Sequence, residues 1–356
     1  MKVTALIMAG GKGERFWPRS RKNNPKQFLC LTGDGETMIQ KTVNRIRPVV
    51  DIEDIFVVTN AAYKELVKAQ LPELPEENVL LEPVGRNTAP CIGLGAVHIR
   101  KKYGDAVMLV LPSDHLIKYN DMYVDVLKDA ISVAEEGDNL VTIGITPNVP
   151  ETGYGYIKFN PSEKLGNSCL VDSFVEKPDL DTAKKYLASG EYMWNSGMFA
   201  WKTSTILASM EKHLPDTYEG LKKIEAAIGT SDATKVLKDV FETVKSESVD
   251  YGILEKEKSI YVIPGNFGWD DVGSWLAVER MRPHDDMGNV VAGNAMTINV
   301  KNCIIEGGDK LIAAVGVQDI VIVDTPDATL ICAKDSTADI KKVTESLRNG
   351  NKDMYL

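Results

Sequence analysis

Over the first 145 residues, short apolar runs alternate with helix-like stretches, and this rhythm restricts the fold more than any other feature. The runs are VTALIMA (3–9), DIFVVTN (54–60), NVLLEP (78–83), AVMLVLP (106–112) and LVTIGI (140–145), separated by helical patterns at 37–50, 61–70, 88–103 and 121–136. Runs that are apolar on both faces and joined through helices predict an α/β fold, a mostly parallel doubly wound sheet covered on both sides. Ligands of such sheets bind beyond the carboxyl ends of the strands. From 151 the rhythm loosens into the strand candidates YGYIKF, LVDSFVEKP, NSGMFAW and SIYVIPG, with helices near 181–188, 203–213 and 217–243, which complete the same sheet. Residues 290–334 carry only short β-rich pieces between Gly, Asn and Asp turns, so a small β-appendage closed by a helix at 336–349 is expected. The chain thus divides into 1–285 and 286–356.

With 356 residues, 44% of them apolar, the chain can bury a large core, and its net charge of -10 disfavours nucleic acid and anionic membrane surfaces as partners. Cys30, Cys91, Cys169, Cys303 and Cys332 are scattered and include no C-x-x-C pair, which reads as reduced thiols. No run approaches the roughly 18 apolar residues of a membrane span. The opening MKVTALIMAGG leads into GKGER instead of a cleavage site and reads as a buried first strand. Cytoplasm is the expected compartment.

The first strand ends in Ala9-Gly10-Gly11-Lys12-Gly13-Glu14-Arg15, where glycines let backbone N–H groups turn toward an anion. The pattern GxxxxGK[ST] is absent, and Phe16 stands where a dinucleotide-binding G-x-G-x-x-G needs its third glycine. Arg15, Arg19, Arg21, Lys22 and Lys26 follow, with Phe16, Trp17, Phe28 and Leu29 as apolar anchors, making a fixed basic loop suited to a triphosphate. An ordinary glycine turn with a solvated basic face is the structural alternative.

Asp114, in LPSDH, directly follows an apolar strand and is placed where Mg²⁺ is wanted, although a turn or N-cap aspartate has the same pattern. The segment FGWDDVGSW offers Asp270 and Asp271, either of which completes a site, since Mg²⁺ typically takes one or two protein carboxylates. His98, His115, His213 and His284 show no metal-binding spacing and read as satisfied or solvated side chains. G-x-S-x-G is absent, so covalent catalysis is not indicated. EPVGRNTAP (82–90), ETGYGYIKF (151–159), FVEKP (174–178) and WNSGMF (194–199) read as recognition loops. Thr88 as a helix N-cap, and Glu176 with Lys177 as a surface pair, are the plainer readings of their residues.

Taken together in this order over about the first 280 residues, these motifs resemble mannose-1-phosphate guanylyltransferases, also called GDP-mannose pyrophosphorylases, of the bacterial type. The resemblance implies a Rossmann-like nucleotidyltransferase core, a mixed sheet, with a small C-terminal left-handed β-helix. It implies GTP and mannose 1-phosphate as substrates, GDP-mannose and pyrophosphate as products, and Mg²⁺ or another divalent cation as cofactor. It further implies that Gly10, Gly11, Gly13, Arg15 and Lys26 bind nucleotide phosphates, and that Gly85, Asn87 and Thr88 contact guanine and ribose. Asp114 and Asp271 are its metal ligands, and Gly153, Glu176, Lys177 and Asn195 hold mannose and its phosphate. Phe16 and Pro18-Arg19-Ser20 depart from the family's commoner leucine and proline-leucine-serine without removing a catalytic charge. Some relatives carry a further cupin-type isomerase domain; mannose-6-phosphate isomerisation is not expected here.

The reaction expected on this resemblance is attack by a mannose 1-phosphate oxygen on the α-phosphorus of GTP. A phosphate monoester, with a second pKa near about 6, is already mostly dianionic at neutral pH, so no strong base is required. Other bases or sugar 1-phosphates remain as alternatives within this chemistry. A noncatalytic nucleotide-sugar sensor is the rival of another class, disfavoured because Arg15, Lys26, Asp114 and Asp271 are all retained. A homodimer is expected, and the β-rich segment 290–334 either pairs between chains or caps the core.

Overall fold

Burial of five of the eight residues of the first strand, β1 (Lys2–Ala9), places it inside the sheet. The structure is a computed structural model and describes residues 1–356. The further strands of the sheet are β2 (Ile55–Asn60), β3 (Val79–Glu82), β4 (Ala106–Pro112), β5 (Leu140–Ile145), β6 (Tyr156–Leu165), β7 (Ser168–Val175), β8 (Tyr192–Lys202) and β9 (Ile260–Gly265). Their order is β3-β2-β1-β4-β8-β5-β9-β7-β6. The first four are mutually parallel, with Leu6 opposite Phe56 and Val110. Strand β8 runs antiparallel between β4 and β5, and β6–β7 is an antiparallel pair, so the sheet is mixed.

Leu6, Phe56, Val58, Met108 and Val110 bury one sheet face beneath the helices Thr88–Tyr103, Thr203–His213, Pro215–Ala227 and Ala233–Thr243. Gly95 lets its helix approach the sheet closely, since a Cβ would lie 2.4 Å from Leu6 Cδ2. The expected helix at 217–243 is two helices: Gly229, at φ 85°, breaks it where an L side chain is strained. No helix is long and apolar enough to cross a membrane.

Compact packing groups the residues differently from the linear division at 285. One unit comprises Met1–Gly10, Val43–Ser113 and Ile117–Trp269, and holds the sheet; the other comprises Gly11–Thr42, Asp114–Leu116 and Asp270–Leu356. Segment 11–42 belongs to the second unit because Phe16, Trp17, Leu31 and Met38 share one apolar core with Trp275, Val290, Ile304, Val321 and Ile340.

Within the second unit, Val290–Ala292, Ile304–Glu306 and Ile320–Asp324 stack in parallel, and Ala295–Ile298 stacks on Ile312–Val315. Short parallel rungs of this kind form a β-helix-like appendage, filled by Val300, Cys303, Ile305, Ala314 and Ile322. Thr329–Ala333 ends the ladder antiparallel to Ile320–Asp324, and the helix Ile340–Asn349 follows.

Candidate active site

In the second unit, the glycine turn is left-handed at Gly13 alone, with φ 58°. A Cβ there would fall 2.3 Å from Lys26 Cβ, whereas one on Gly11 meets nothing within 4 Å. Gly13→Ala therefore combines a strained φ, costing about 1 kcal/mol, with a clash against the backbone-held stem of Lys26. A lower melting temperature together with a lower kcat is expected, while Gly11→Ala melts like the parent. Equal melting curves for all three proteins would show that the turn does not depend on glycine.

The turn faces a cavity of about 560 Å³ whose walls include Lys12, Gly13, Arg15, Lys26, Asp114 and Asp271. Lys26 is 5% exposed, and its Nζ lies 2.8 Å from Asp114 Oδ2 and donates to the Asp271 carbonyl at 2.8 Å. Burial disfavours the Asp114 carboxylate, but Lys26 and His115 outweigh it and hold its pKa below the ordinary range. Asp114 is thus anionic at neutral pH. Arg15 is exposed and its Nη1 reaches the Gly273 carbonyl at 3.5 Å.

The adjacent aspartates part company. Asp270 Oδ2 pairs with Arg280 at 2.5 Å and its Oδ1 accepts from the Val272 N–H, whereas Asp271 lines the cavity and its Oδ1 accepts from the Gly273 N–H. Val272 follows them directly, fully buried at φ 50°, a conformation β-branched residues rarely adopt. Backbone strain of this kind persists only where surroundings over-determine it, commonly at functional sites. No cluster of three or more His, Cys, Asp or Glu side chains forms a metal cage. Two aspartates on one cavity suit Mg²⁺, which keeps the rest of its octahedron for water and phosphate oxygens.

Most of the basic run is not available to a ligand. Arg19 bonds Glu306 and the Gly307 carbonyl, Arg21 forks onto Asp327 at 2.7 and 3.1 Å, and Lys22 pairs with Asp353. The expectation of a five-cation phosphate loop is corrected: Arg19, Arg21 and Lys22 fasten the segment to the C-terminal part of the same unit, and Arg15 and Lys26 face the cavity. His115 and Lys341 also line it. His115 reads from the sequence only as a satisfied or solvated side chain, and Lys341 carries no local signal.

The remaining predicted residues lie in the sheet unit. Gly10 follows β1 and is exposed. Gly85, Asn87 and Thr88 join β3 to the helix Thr88–Tyr103; Asn87, at φ 68°, is its N-cap, accepting from the Thr88 N–H, so Thr88 itself is not. The Thr88 hydroxyl oxygen accepts from the Val249 N–H at 2.8 Å, tying this loop to the segment before Asp250. Glu176, Asn195 and the loop of Gly153 converge. The Asn195 N–H donates to the Gly155 carbonyl, and a Cβ on Gly155 would lie 3.2 Å from Glu176 Oε2. The Asn195 amide is largely committed, donating to Asp250 Oδ1 at 2.8 Å and accepting from the Gly197 N–H at 3.1 Å. Lys177 and Glu176 pair at 3.2 Å, both well exposed. The Tyr154 ring packs edge-on against Trp194 and Trp269, centroids 5.2 and 5.1 Å away, giving the region an aromatic wall. Asp250, absent from the sequence-based set, is half-buried, and desolvation raises its pKa.

The family model for Nucleotidyl transferase matches residues 4–286, and that for the MannoseP isomerase/GMP-like beta-helix domain matches 293–347. The chain is 42% identical over 355 residues to a mannose-1-phosphate guanylyltransferase of Klebsiella pneumoniae, covering 98% of this chain and 75% of the relative. The chain belongs to the mannose-1-phosphate guanylyltransferase family. The alginate biosynthesis protein AlgA of Pseudomonas aeruginosa is 38% identical, over 96% of this chain and 71% of its own. Among solved structures, one from Thermus thermophilus described as a mannose-1-phosphate geranyltransferase superposes with TM-score 0.88 at 34% identity, covering 98% of this chain and 100% of that one. One described as a mannose-6-phosphate isomerase from Helicobacter pylori gives TM-score 0.62 at 27% identity, covering 76% and 100%. As a member of this family the chain is an enzyme that transfers a nucleotidyl group to mannose 1-phosphate, and its mixed sheet with a β-helix-like appendage is the family's fold.

Proposed function

We propose that the chain transfers GMP from GTP to α-D-mannose 1-phosphate, releasing GDP-mannose and pyrophosphate by in-line displacement. The observation that carries this reading is the Lys26 ammonium, buried and held 2.8 Å from Asp114 and 2.8 Å from the Asp271 carbonyl at the edge of a polar cavity. Phosphoryl-type transfer needs positioning and charge neutralisation more than proton transfer.

In this reading Gly10, Gly11 and Gly13 present backbone N–H groups to the triphosphate, and Arg15 and Lys26 neutralise it. Asp114 and Asp271 hold Mg²⁺, which when bound draws phosphate oxygens together and offsets their charge. Gly85, Asn87 and Thr88 meet guanine and ribose. Gly153, Glu176, Lys177 and Asn195 hold the mannose phosphate, Glu176 as hydroxyl acceptor and Lys177 as phosphate cation. Because Asn195 spends its amide on Asp250 and Gly197, it acts chiefly by fixing Asp250 beside Glu176. The enzyme is placed in the cytoplasm, as its nucleotide substrate suggests. It is proposed to pair as a homodimer through the β-helix rungs, where Met296, Ile298 and Val315 are 55%, 50% and 62% exposed.

Pyrophosphate release with each of the four NTPs and several sugar 1-phosphates tests the reading. GTP with mannose 1-phosphate is expected to be fastest, and EDTA in excess to abolish turnover, with Mg²⁺ restoring it. No pyrophosphate from this pair in the presence of Mg²⁺ overturns it.

A further inference from the structure

The last residue of β3, Glu82, is 5% exposed and makes no side-chain hydrogen bond: its Oε1 is buried without a partner. Its Oε2 lies toward Gly10, where a Cβ would sit 3.5 Å away, and Gly10 itself is exposed. The carboxyl group therefore looks out beside Gly10, at the carboxyl ends of the adjoining parallel strands, the edge at which such sheets take ligands. A buried carboxylate without donors is costly, and native proteins leave such groups mainly where a ligand or function completes them.

An ionised carboxylate accepts only, and its two oxygens take two parallel donors. Of the common nucleobases, guanine alone carries two adjacent donors on one edge, N1–H and the 2-amino group. Adenine and cytosine set a donor beside an acceptor, and uracil has a single N–H between two carbonyls. On the GTP reading above, we infer that Glu82 is the residue that selects guanine, its two oxygens accepting from N1–H and the 2-amino group. The loop residues Gly85, Asn87 and Thr88, with small or already engaged side chains, position the base without distinguishing its edge.

Burial alone pushes the Glu82 pKa up to about 7; the titratable neighbour that feels its charge is the Cys91 thiol, itself pushed up chiefly by its own burial. The ionised form is the one that binds guanine, so guanine selectivity should weaken as pH falls through 7. Folding has the opposite dependence: a carboxyl whose pKa is raised from 4.5 to about 7 loses stability as pH climbs across that window. Glu82→Gln, uncharged, should then melt higher than the parent at pH 8 and alike at pH 4.

The test is equilibrium binding of GTP against ITP, which has the N1–H but no 2-amino group, to the full chain. Because both share the triphosphate, its own titration cancels from the ratio. The parent is expected to favour GTP by about 10- to 100-fold at pH 8, the scale of one charge-assisted hydrogen bond, with the preference shrinking toward pH 6. In Glu82→Gln it should fall to about threefold or less and show no pH dependence. A Glu82→Gln protein that melts as a folded chain and keeps the parental GTP preference overturns the assignment, as does a parent that binds both equally. Neither depends on turnover, so failure here is separable from a failure to release pyrophosphate.

Discussion

Lys26→Ala is expected to lower kcat by about 100-fold or more, the usual consequence of losing one preorganised donor to developing charge. The geometry explains why a surface cation cannot substitute. Lys26 Nζ is fixed by Asp114 and the Asp271 carbonyl, and its stem passes against Gly13, so the charge is already in place before substrate arrives. Truncation also strands the Asp114 carboxylate. Since Asp114 keeps 28% of its side-chain surface, water relieves part of this, and a stability loss of about 1–3 kcal/mol is expected, less than for a fully buried pair. Steady-state kinetics and thermal melts at saturating Mg²⁺ separate the two effects. A folded Lys26→Ala enzyme with near-normal kcat removes Lys26 from the chemistry.

The second large effect distinguishes two neighbours that local spacing alone does not rank. Asp271→Asn should reduce kcat by about 10²- to 10³-fold and raise the Mg²⁺ concentration needed for half-maximal rate, because its carboxylate is on the cavity wall. Asp270→Asn should leave the Mg²⁺ dependence near parental and act on stability, through its bonds to Arg280 and the Val272 N–H. Mg²⁺ titrations of both variants give the comparison. Equal shifts in the two, or a larger one in Asp270→Asn, would reverse the assignment of the metal ligand. The extended backbone at Trp269–Asp270 accounts for the contrast, since successive side chains along such a segment point to opposite sides.

These outcomes bear on how the unit is built. The cations expected to meet phosphate are split between binding and fastening: Arg19 and Arg21 reach acidic partners at Glu306 and Asp327, and Lys22 reaches Asp353. The Trp17 indole N–H donates to the Tyr355 carbonyl at 2.7 Å, and Trp275 stacks obliquely on Phe16 at 5.2 Å. The loop is thereby held by the C-terminal segment of its own unit, which makes the β-helix-like appendage part of what keeps Arg15 and Lys26 in position.

Local patterning in the chain determined the βαβ rhythm, the glycine turn after the first strand, the aspartate after the fourth, and the short rungs past residue 290. Each of these follows from periodicity and turn chemistry over a few residues, where side-chain direction is set by the backbone alone. Only the tertiary structure decided that Asp270 is taken up by Arg280, that His115 and Lys341 line the cavity, and that Glu82 is left without a partner. It also decided that Arg19, Arg21 and Lys22 are spent on ion pairs with residues roughly 290 to 330 positions away. The physical reason is the same in each case: a charge in sequence has no partner until packing brings distant segments within about 4 Å, where electrostatic and hydrogen-bonding energies choose its role.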